Sequence, residues 1–220
     1  MKKLKIELEL TTKTHVTIGM GENQFFQTAD IIQLRRLYNQ EKRSCIPATT
    51  LKGLLRASAV QIAHFILGDN EKYCTTVNTE ELSKCDGCII CNLFGSINKP
   101  SKIYCEDLFP INKAILELHK LTQTSIERKS GKSKKGSLFT KERIPPNTTF
   151  SSILYIEAFN NSIGINTEIL ILFALKNLEY CSFGNGDGLI EVRTKKIDGF
   201  SRNNELVNNL IERMSDEKST

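Results

Sequence analysis

The sequence predicts an α+β fold, because two kinds of periodicity alternate along the chain. Segments with alternating polar and apolar side chains are typical of half-buried strands, and apolar side chains three and four residues apart are typical of helices. The chain has 220 residues, of which 40% are hydrophobic and 25% are charged. That size and composition suffice for a hydrophobic core. We therefore predict a single domain over residues 1–220.

A strand and a long helix open the chain. Residues 3–12 alternate in polarity and predict an amphipathic strand. Its apolar face consists of Leu4, Ile6, Leu8 and Leu10. The helix is predicted to begin near Thr49 or Thr50, either of which can cap its first turn, and to end at Gly68. Its apolar stripe comprises Leu51, Leu54, Leu55, Ala59, Ile62, Ala63 and Ile66.

Two strands, a second helix and a last strand follow. Residues 103–108 predict a short strand, and the β-forming side chains of residues 148–159 predict a central one. Residues 168–181 predict a buried helix, and residues 189–196 alternate again. The order strand, helix, strand, strand, helix, strand is that of a ferredoxin-like split βαβ core. From residue 203 the tail is polar and predicts a frayed helix.

Three insertions account for the length that this core does not need, namely residues 13–45, 70–95 and 120–147. The first is predicted to be a polar loop. Residues 124–147 are rich in Ser, Gly and Lys and predict a mobile loop or an exposed hairpin, because such a composition buries little apolar surface. Long loops on a regular scaffold often carry function. We therefore expect the function to lie in the insertions.

Four of the seven cysteines fall within eighteen residues: Cys74, Cys85, Cys88 and Cys91. CxxC spacing lets one turn supply two thiolates to one zinc ion, and four thiolates leave no open position for catalysis. We therefore predict a structural Zn²⁺ site, with His64 as an alternative ligand; unrelated thiols in a flexible loop are the other interpretation. Cys45, Cys105 and Cys181 stand apart and are predicted to be small buried side chains.

The net charge of +5 comes from one segment. Residues 120–143 contain eight basic and two acidic side chains, whereas the rest of the chain has 22 basic and 23 acidic ones. This uneven charge indicates contact with a polyanion. Because Phe139 is the only aromatic residue there, we expect contact with an RNA backbone rather than base stacking; a solvated flexible loop is the alternative. The basic residues are Lys120, Arg128, Lys129, Lys132, Lys134, Lys135, Lys141 and Arg143.

Two further features suit phosphate binding. Lys52 and Arg56 lie one turn apart near the start of the first helix, where backbone N–H groups favour anions; a solvated helix face is the alternative. A glycine loop contains Gly184, Gly186 and Gly188. It lacks the ending of a P-loop and lies between a helix and a strand, the reverse of a dinucleotide fingerprint. Its N–H groups suit a phosphate, and a plain turn is the alternative.

No catalytic triad or paired-histidine metal motif is evident from the spacing of polar residues. His15, His64 and His119 are scattered along the chain. His15 follows the first strand, at a position suited to a general base, although a lone histidine is more often structural. Asp30 is ambiguous on its own. From the residues alone, the predicted function is the binding of RNA or another polyanion.

Three segments carry a resemblance to a known family: residues 46–56 (IPATTLKGLLR), 88–95 (CIICNLFG) and 183–192 (FGNGDGLIEV). The first resembles the helix start IPGSSLKGxLR of the RAMP superfamily of CRISPR-associated proteins. The second is similar to the CxxCxLFG stretch of zinc-bearing backbone subunits in type III (Csm/Cmr-like) effector complexes. The third is similar to the superfamily's C-terminal glycine-rich loop and the strand after it. The resemblance spans about residues 1–200.

The resemblance implies a ferredoxin-like (RRM-like) core with a zinc-binding insertion and a β-hairpin thumb, repeated in a filament of copies along a guide RNA. Residues 120–147 would form the thumb, which interrupts the guide–target duplex at regular intervals. Family backbone subunits cut target RNA with a divalent metal, Mg²⁺ or Mn²⁺, and an aspartate in the loop before the helix start. Asp30 matches that position. Its carboxylate would hold the ion or orient the RNA 2′-hydroxyl toward the adjacent phosphate.

Three hypotheses follow. The first is a guide-RNA-binding backbone subunit of a type III CRISPR interference complex, working with other effector subunits as an endoribonuclease that cleaves target RNA. The second is a non-catalytic RNA-binding subunit of the same complex. The third is a stand-alone, metal-independent endoribonuclease that matures guide RNA with His15 as base. The start of the chain has no secretory signal pattern and the longest apolar run is residues 169–175, so we expect a cytoplasmic location and no membrane partner.

Overall fold

An antiparallel five-stranded sheet with helices packed against it forms the centre of the computed structural model. The structure describes residues 2–20, 29–68, 72–75, 85, 87–97, 99–111, 117–158, 163–184 and 188–216. Its strands are β1 (Lys2–Thr12), β2 (Arg35–Tyr38), β3 (Glu41–Ser44), β4 (Ile103–Cys105), β5 (Phe109–Pro110), β6 (His119–Gln123), β7 (Phe139–Arg143), β8 (Thr149–Ala158) and β9 (Ile190–Asp198). Its helices are α1 (Ala48–Leu67), α2 (Ile89–Phe94), α3 (Ile165–Asn177) and α4 (Glu205–Asp216), and a 3₁₀ turn (Leu178–Tyr180) follows α3.

The strand order of the sheet is β4-β8-β1-β9, and β5 also pairs with β8. All of these pairings are antiparallel. In the chain, α1 lies between β1 and β4, and α3 lies between β8 and β9. Two strand–helix–strand units therefore interleave in one sheet, which is the order that a split βαβ core requires. The predicted α+β class is confirmed. Of the predicted strand at 103–108, residues 103–105 form β4, and β5 begins after it at Phe109.

The hydrophobic core lies on the face of the sheet that the alternation of β1 predicts. The β1 side chains of this face are at most 1% exposed: Leu4, Ile6, Leu8 and Leu10. The same core includes four buried side chains of α1: Leu51, Leu55, Ala59 and Ala63. The other predicted members of the stripe are only partly buried, namely Leu54, Ile62 and Ile66. Fully burying one such leucine or isoleucine contributes about 1.5–3 kcal/mol. The two long helices α1 and α3 pack against each other, so the predicted stripe is correct.

The start of α1 differs from the prediction. The helix begins at Ala48. Its N-cap residue is Pro47, whose side chain makes no capping hydrogen bond. The prediction of a threonine cap is therefore wrong. Instead Asp107 Oδ1 accepts a hydrogen bond from the Ala48 N–H at 2.8 Å. Because this acceptor lies 59 residues away in the sequence, local sequence rules do not find it.

The first insertion contains a ribbon that the prediction of a polar loop missed. Strands β2 and β3 pair around a two-residue turn of Asn39 and Gln40, whose φ angles are 49° and 69°. Positive φ at both central residues is the geometry of a tight hairpin turn. Six of the eight strand residues are exposed. Without an apolar face the ribbon has no alternation in its sequence, so periodicity does not reveal it.

The third insertion and the tail both have regular structure. Of the two alternatives for residues 124–147, the structure has the hairpin. Strands β6 and β7 pair along their length, with His119 opposite Arg143 at one end and Gln123 opposite Phe139 at the other. The predicted helix of the tail is confirmed, and over Glu205–Asp216 it packs on α3 and β9 instead of fraying. It buries Val207, Ile211 and Met214, which are at most 4% exposed. Across the described ranges, no helix is long and apolar enough to cross a membrane.

Candidate metal centre and nucleic-acid interface

The four clustered cysteines converge on one point. Cys88 and Cys91 belong to the start of α2, and all four Sγ atoms, including those of Cys74 and Cys85, lie within 4.8 Å of one another. The Sγ of Cys74 is 3.4 Å from that of Cys88 and 3.5 Å from that of Cys91. Sulfurs bound at about 2.3 Å to a tetrahedral zinc ion are roughly 3.8 Å apart. The cluster therefore has the dimensions of a four-sulfur metal site.

Two consecutive turns position three of these thiols. The Cys88 N–H donates to Cys85 Sγ, and the Cys91 N–H donates to Cys88 Sγ, each at 3.4 Å. Gly87 lies in the first turn with a φ of 109°, which favours glycine. Hydrogen bonds from backbone N–H groups favour a charged sulfur over a neutral one. The CxxC spacing thus sets the direction of the sulfurs and, at Cys85, favours the thiolate form.

The thiols differ in pKa according to their surroundings. Hydrogen bonds from the N–H groups of Cys88 and Gly87 lower the pKa of Cys85 to about 6. Burial raises the pKa of Cys91 to about 11 and also raises the pKa of Cys74. Adjacent thiols therefore resist full ionisation by themselves, and a divalent cation among them reverses that balance. The donor set fits Zn²⁺ and leaves no ligand position for a substrate.

The remaining cysteines and His64 lie outside this cluster. Cys45 is fully buried, whereas Cys105 and Cys181 are only partly so; the prediction of buried side chains is therefore correct for Cys45. Burial raises the pKa values of Cys45 and Cys105 to about 11. The Nδ1 of His64 lies 3.0 Å from the hydroxyl of Tyr73. The four cysteines form the site without His64.

Lys52 and Arg56 are not a pair of freely exposed cations. The Nη1 of Arg56 donates to the Gly95 carbonyl at 2.8 Å, and its Nη2 donates to Cys91 Sγ at 3.4 Å. Lys52 is half-buried, and burial lowers its pKa. Arg56 therefore has hydrogen bonds within the protein, and Lys52 is partly removed from solvent. Their predicted contact with RNA phosphates stays a prediction.

The basic residues of the third insertion lie on β6, β7 and the segment between them, residues 119–143, which we call the basic ribbon. Its predicted RNA ligands are exposed: Arg128, Lys129, Lys132, Lys134 and Lys135. Within the described part of the chain, none of the five forms an ion pair. The positive charge at the outer end of the ribbon is therefore not neutralised locally, and it favours a polyanion.

Asp30 lies against the root of the basic ribbon. Its Oδ2 accepts a hydrogen bond from the Thr140 N–H at 2.6 Å, and the N–H of Ile31 donates to the Thr140 carbonyl at 3.0 Å. The side chain is exposed. Asp30 belongs to no group of three metal-ligating side chains among the residues that the structure describes. A divalent ion there would take its other ligands from water and RNA, as Mg²⁺ commonly does.

A buried polar network fixes the same root, and sequence reasoning missed it. Gln33 is 0% exposed; its N–H donates to Glu142 Oε2 at 3.2 Å, and its Oε1 accepts from the Ile18 N–H at 2.8 Å. Arg35 donates to the same Glu142 oxygen at 3.0 Å. Charge-assisted hydrogen bonds of this kind hold side chains in one orientation. The root of the ribbon is therefore rigid, while its outer end is exposed.

Two histidines that are far apart in the sequence meet at this root. The Nε2 of His15 lies 2.9 Å from the Nδ1 of His119, and 104 residues separate them in the chain. Burial, then the charge of Arg143, lowers the pKa of His15. His119 and Arg143 are partners across the ribbon. Nothing in the sequence signals this pair, because it depends on the docking of the ribbon against the segment after β1.

The glycine loop packs against that same segment. Gly184 has a φ of 72°, and a Cβ there would lie 2.5 Å from the Thr17 carbonyl oxygen. A Cβ on Gly188 would overlap the Phe183 carbonyl, and the Gly188 N–H donates to that carbonyl at 3.2 Å. Gly186 lies outside the described residues. Close packing explains two of the glycines, and phosphate binding by the loop stays a prediction.

Comparison with known families identifies the chain's family. The family model of the RAMP superfamily matches residues 9–209 of the chain. The matched range contains the four cysteines, Asp30, the basic ribbon and the described glycines of the loop. No curated protein matches the chain.

Proposed function

Because the chain belongs to the RAMP superfamily, a CRISPR-associated group with RNA-binding roles, we propose that it is a guide-RNA-binding backbone subunit of a type III CRISPR interference complex. The observation that carries this proposal is the basic ribbon. Five exposed cations without ion-pair partners among the described residues extend from a root that buried hydrogen bonds hold in place. A rigid root with a charged outer end suits contact with the backbone of an RNA strand.

In this proposal the basic ribbon is the thumb that interrupts the guide–target duplex. A strand of five residues spans about 17 Å, and the exposed segment between β6 and β7 would be the part that meets the RNA. Copies of the chain repeat along the guide RNA, next to other effector subunits, and each copy contributes one ribbon. The four cysteines hold a structural Zn²⁺ that fixes the region around α2 against α1.

We propose further that Asp30 takes part in cleavage of the target RNA. Its Oδ2 is held by the Thr140 N–H, which leaves Oδ1 to face RNA. A bound Mg²⁺ or Mn²⁺ would stabilise charge on the phosphoryl oxygens. The carboxylate accepts the proton of the 2′-hydroxyl while the 2′-oxygen attacks the adjacent phosphorus. The bond to the 5′-oxygen breaks, that oxygen takes a proton from water, and the products are a 2′,3′-cyclic phosphate and a 5′-hydroxyl.

The test is target cleavage by the assembled complex in Mg²⁺, with Asp30→Asn as the variant. Asparagine keeps an oxygen for the Thr140 N–H but loses the negative charge, so the fold of the root is preserved. We expect regularly spaced cuts in the wild type and a loss of at least about 100-fold in the variant, with unchanged target binding. Asp198→Asn, an equal change at a partly exposed aspartate of β9 that pairs with Lys196, is the matched control.

Each other outcome removes one part of the proposal. Undiminished cutting by Asp30→Asn would exclude Asp30 as the cleaving residue. Tight RNA binding by a wild-type complex that never cuts would select the non-catalytic structural subunit. A wild-type chain that joins no RNA-containing complex would overturn the proposal as a whole.

One observation favours a second candidate, the stand-alone endoribonuclease that matures guide RNA. The hydrogen bond between His15 and His119 gives His15 a partner that orients its ring, as a general base requires. At 2.9 Å between the two nitrogens, a phosphate does not fit between the rings, so RNA would meet His15 from outside the pair. Cleavage of repeat RNA by the isolated chain in EDTA, lost in His15→Ala and kept in His64→Ala, would support this candidate. An uncut RNA in EDTA excludes it.

A further inference from the structure

Arg56 projects from α1 into the loop that carries the cysteines. Its Nη1 donates to the carbonyl of Gly95 at 2.8 Å, just beyond α2, and its Nη2 donates to Cys91 Sγ at 3.4 Å. Its Nε is buried and has no hydrogen-bond partner among the described residues. The guanidinium therefore binds both ends of one helical turn, the thiol that opens it and the carbonyl that closes it.

The negative charge of a four-thiolate zinc centre gives a physical reason for the contact of Arg56 with Cys91. Four thiolates around one Zn²⁺ carry a net charge of −2, and Cys88 and Cys91 are buried. A buried charge is costly unless an opposite charge or hydrogen bonds compensate it. Arg56 supplies one positive charge at Cys91. The Lys99 ammonium lies against Gly87, where a Cβ would overlap it, so a second positive charge stands beside the turn between Cys85 and Cys88.

We infer that Arg56 is a positioning residue of the metal centre, which orients Cys91 toward the metal and offsets the charge of the thiolates. This inference rests on the proposed zinc centre and is an alternative to the predicted role of Arg56 as a phosphate ligand. Arginine suits the role because its planar fork donates in two directions at once, whereas the ammonium of lysine is a single point charge. Hydrogen bonds to metal ligands typically contribute a factor of 10–100 in metal affinity.

The experiment compares Arg56→Met and Arg56→Lys with Lys52→Met, an equal loss of charge one turn earlier in α1. Zinc affinity is measured by competition with a chromogenic chelator, and the tetrahedral thiolate spectrum is measured after replacement by Co²⁺. We expect affinity to fall about 10–100-fold in Arg56→Met and by a smaller factor in Arg56→Lys, which keeps the charge and loses the fork. In Lys52→Met we expect it to stay within about twofold of the wild type. The Co²⁺ spectrum should shift in both Arg56 variants, because the sulfur of Cys91 loses a donor.

The outcomes are separable from those of the RNA-binding proposal. If Arg56→Met binds zinc within twofold of the wild-type affinity, the inference is overturned. If its RNA binding falls at the same time, Arg56 is a phosphate ligand instead. If Arg56→Met does not fold, the affinity and spectrum of Arg56→Lys decide in the same way. A wild-type chain that binds no zinc also overturns it. A wild-type chain that binds zinc but no RNA leaves the role of Arg56 intact and removes the proposed function.

Discussion

The cysteine cluster and the basic ribbon both suit charged ligands, but they are built in opposite ways. In the cluster four ligand atoms converge within 4.8 Å, and backbone N–H groups and Arg56 surround them. In the ribbon five cations point into solvent without ion-pair partners among the described residues. A converging site binds one small ion tightly and stabilises the fold. A row of exposed like charges adds little stability and binds an extended polyanion, with an affinity that salt weakens.

Breaking the cluster should have the largest effect on the protein. Cys91→Ser removes a buried ligand, and we expect the loss of one bound zinc per chain. If free zinc is about 1,000 times its Kd, the stabilisation lost is about 4 kcal/mol. That corresponds to a fall of roughly 8–16 °C in Tm for a chain of this size. Differential scanning calorimetry and elemental analysis measure the two quantities.

Cys181→Ser is the control for this change, because Cys181 lies outside the cluster and contacts Asn177. It should keep its zinc and shift the Tm by much less. Equal zinc content in Cys91→Ser and the wild type would contradict the four-thiolate centre.

Removing charge from the ribbon should change RNA binding and leave stability almost unchanged. Replacement of Lys132, Lys134 and Lys135 by Gln removes three exposed charges. We expect the slope of log K against log [salt] to fall by about 2–3, since each phosphate contact contributes about 0.7–0.9. Fluorescence anisotropy with labelled RNA over a salt series measures this slope, and the Tm should stay constant because surface changes rarely exceed about 0.5 kcal/mol.

Three lysines on the exposed face of the sheet provide a matched control. Lys3, Lys195 and Lys196 pair with Glu157, Glu9 and Asp198 respectively. Their joint replacement by Gln also removes three charges, but the acids already neutralise them. A salt slope that falls equally in both triple variants would show that net charge, rather than the ribbon, drives RNA binding.

The smallest expected effect is a difference in the rate of alkylation between cysteines inside and outside the cluster. With zinc bound, alkylation at pH 7 should spare all four cluster cysteines, and a chelator should expose them. Cys45 and Cys105 should stay unlabelled in both states, because a pKa of about 11 keeps them protonated and only the thiolate reacts. As the pH rises toward 10, the labelling of Cys105 should increase about tenfold per pH unit. Peptide mass spectrometry gives the rates, and equal labelling of the cluster with and without chelator contradicts the metal centre.

The sequence alone determines the features that depend on near neighbours. The alternation of β1 fixes which of its side chains are buried, because the period of a strand is two wherever the strand lies. The CxxC spacing predicts the metal ligands, since one turn of backbone sets the distance between consecutive sulfurs. The excess of basic residues in 120–143 predicts the basic ribbon, because these charges lie close together in the sequence.

Tertiary structure alone decides the features that join distant segments. The cap of α1 comes from Asp107, the partner of His15 is His119, and Asp30 is bound to β7 through Thr140. The position of Arg56 is the sharpest case. Its place near the start of a helix predicts a phosphate ligand, and only the docking of α2 against α1 brings Cys91 to it. Helical periodicity tells which residues share a face, whereas the packing of the elements decides what that face meets.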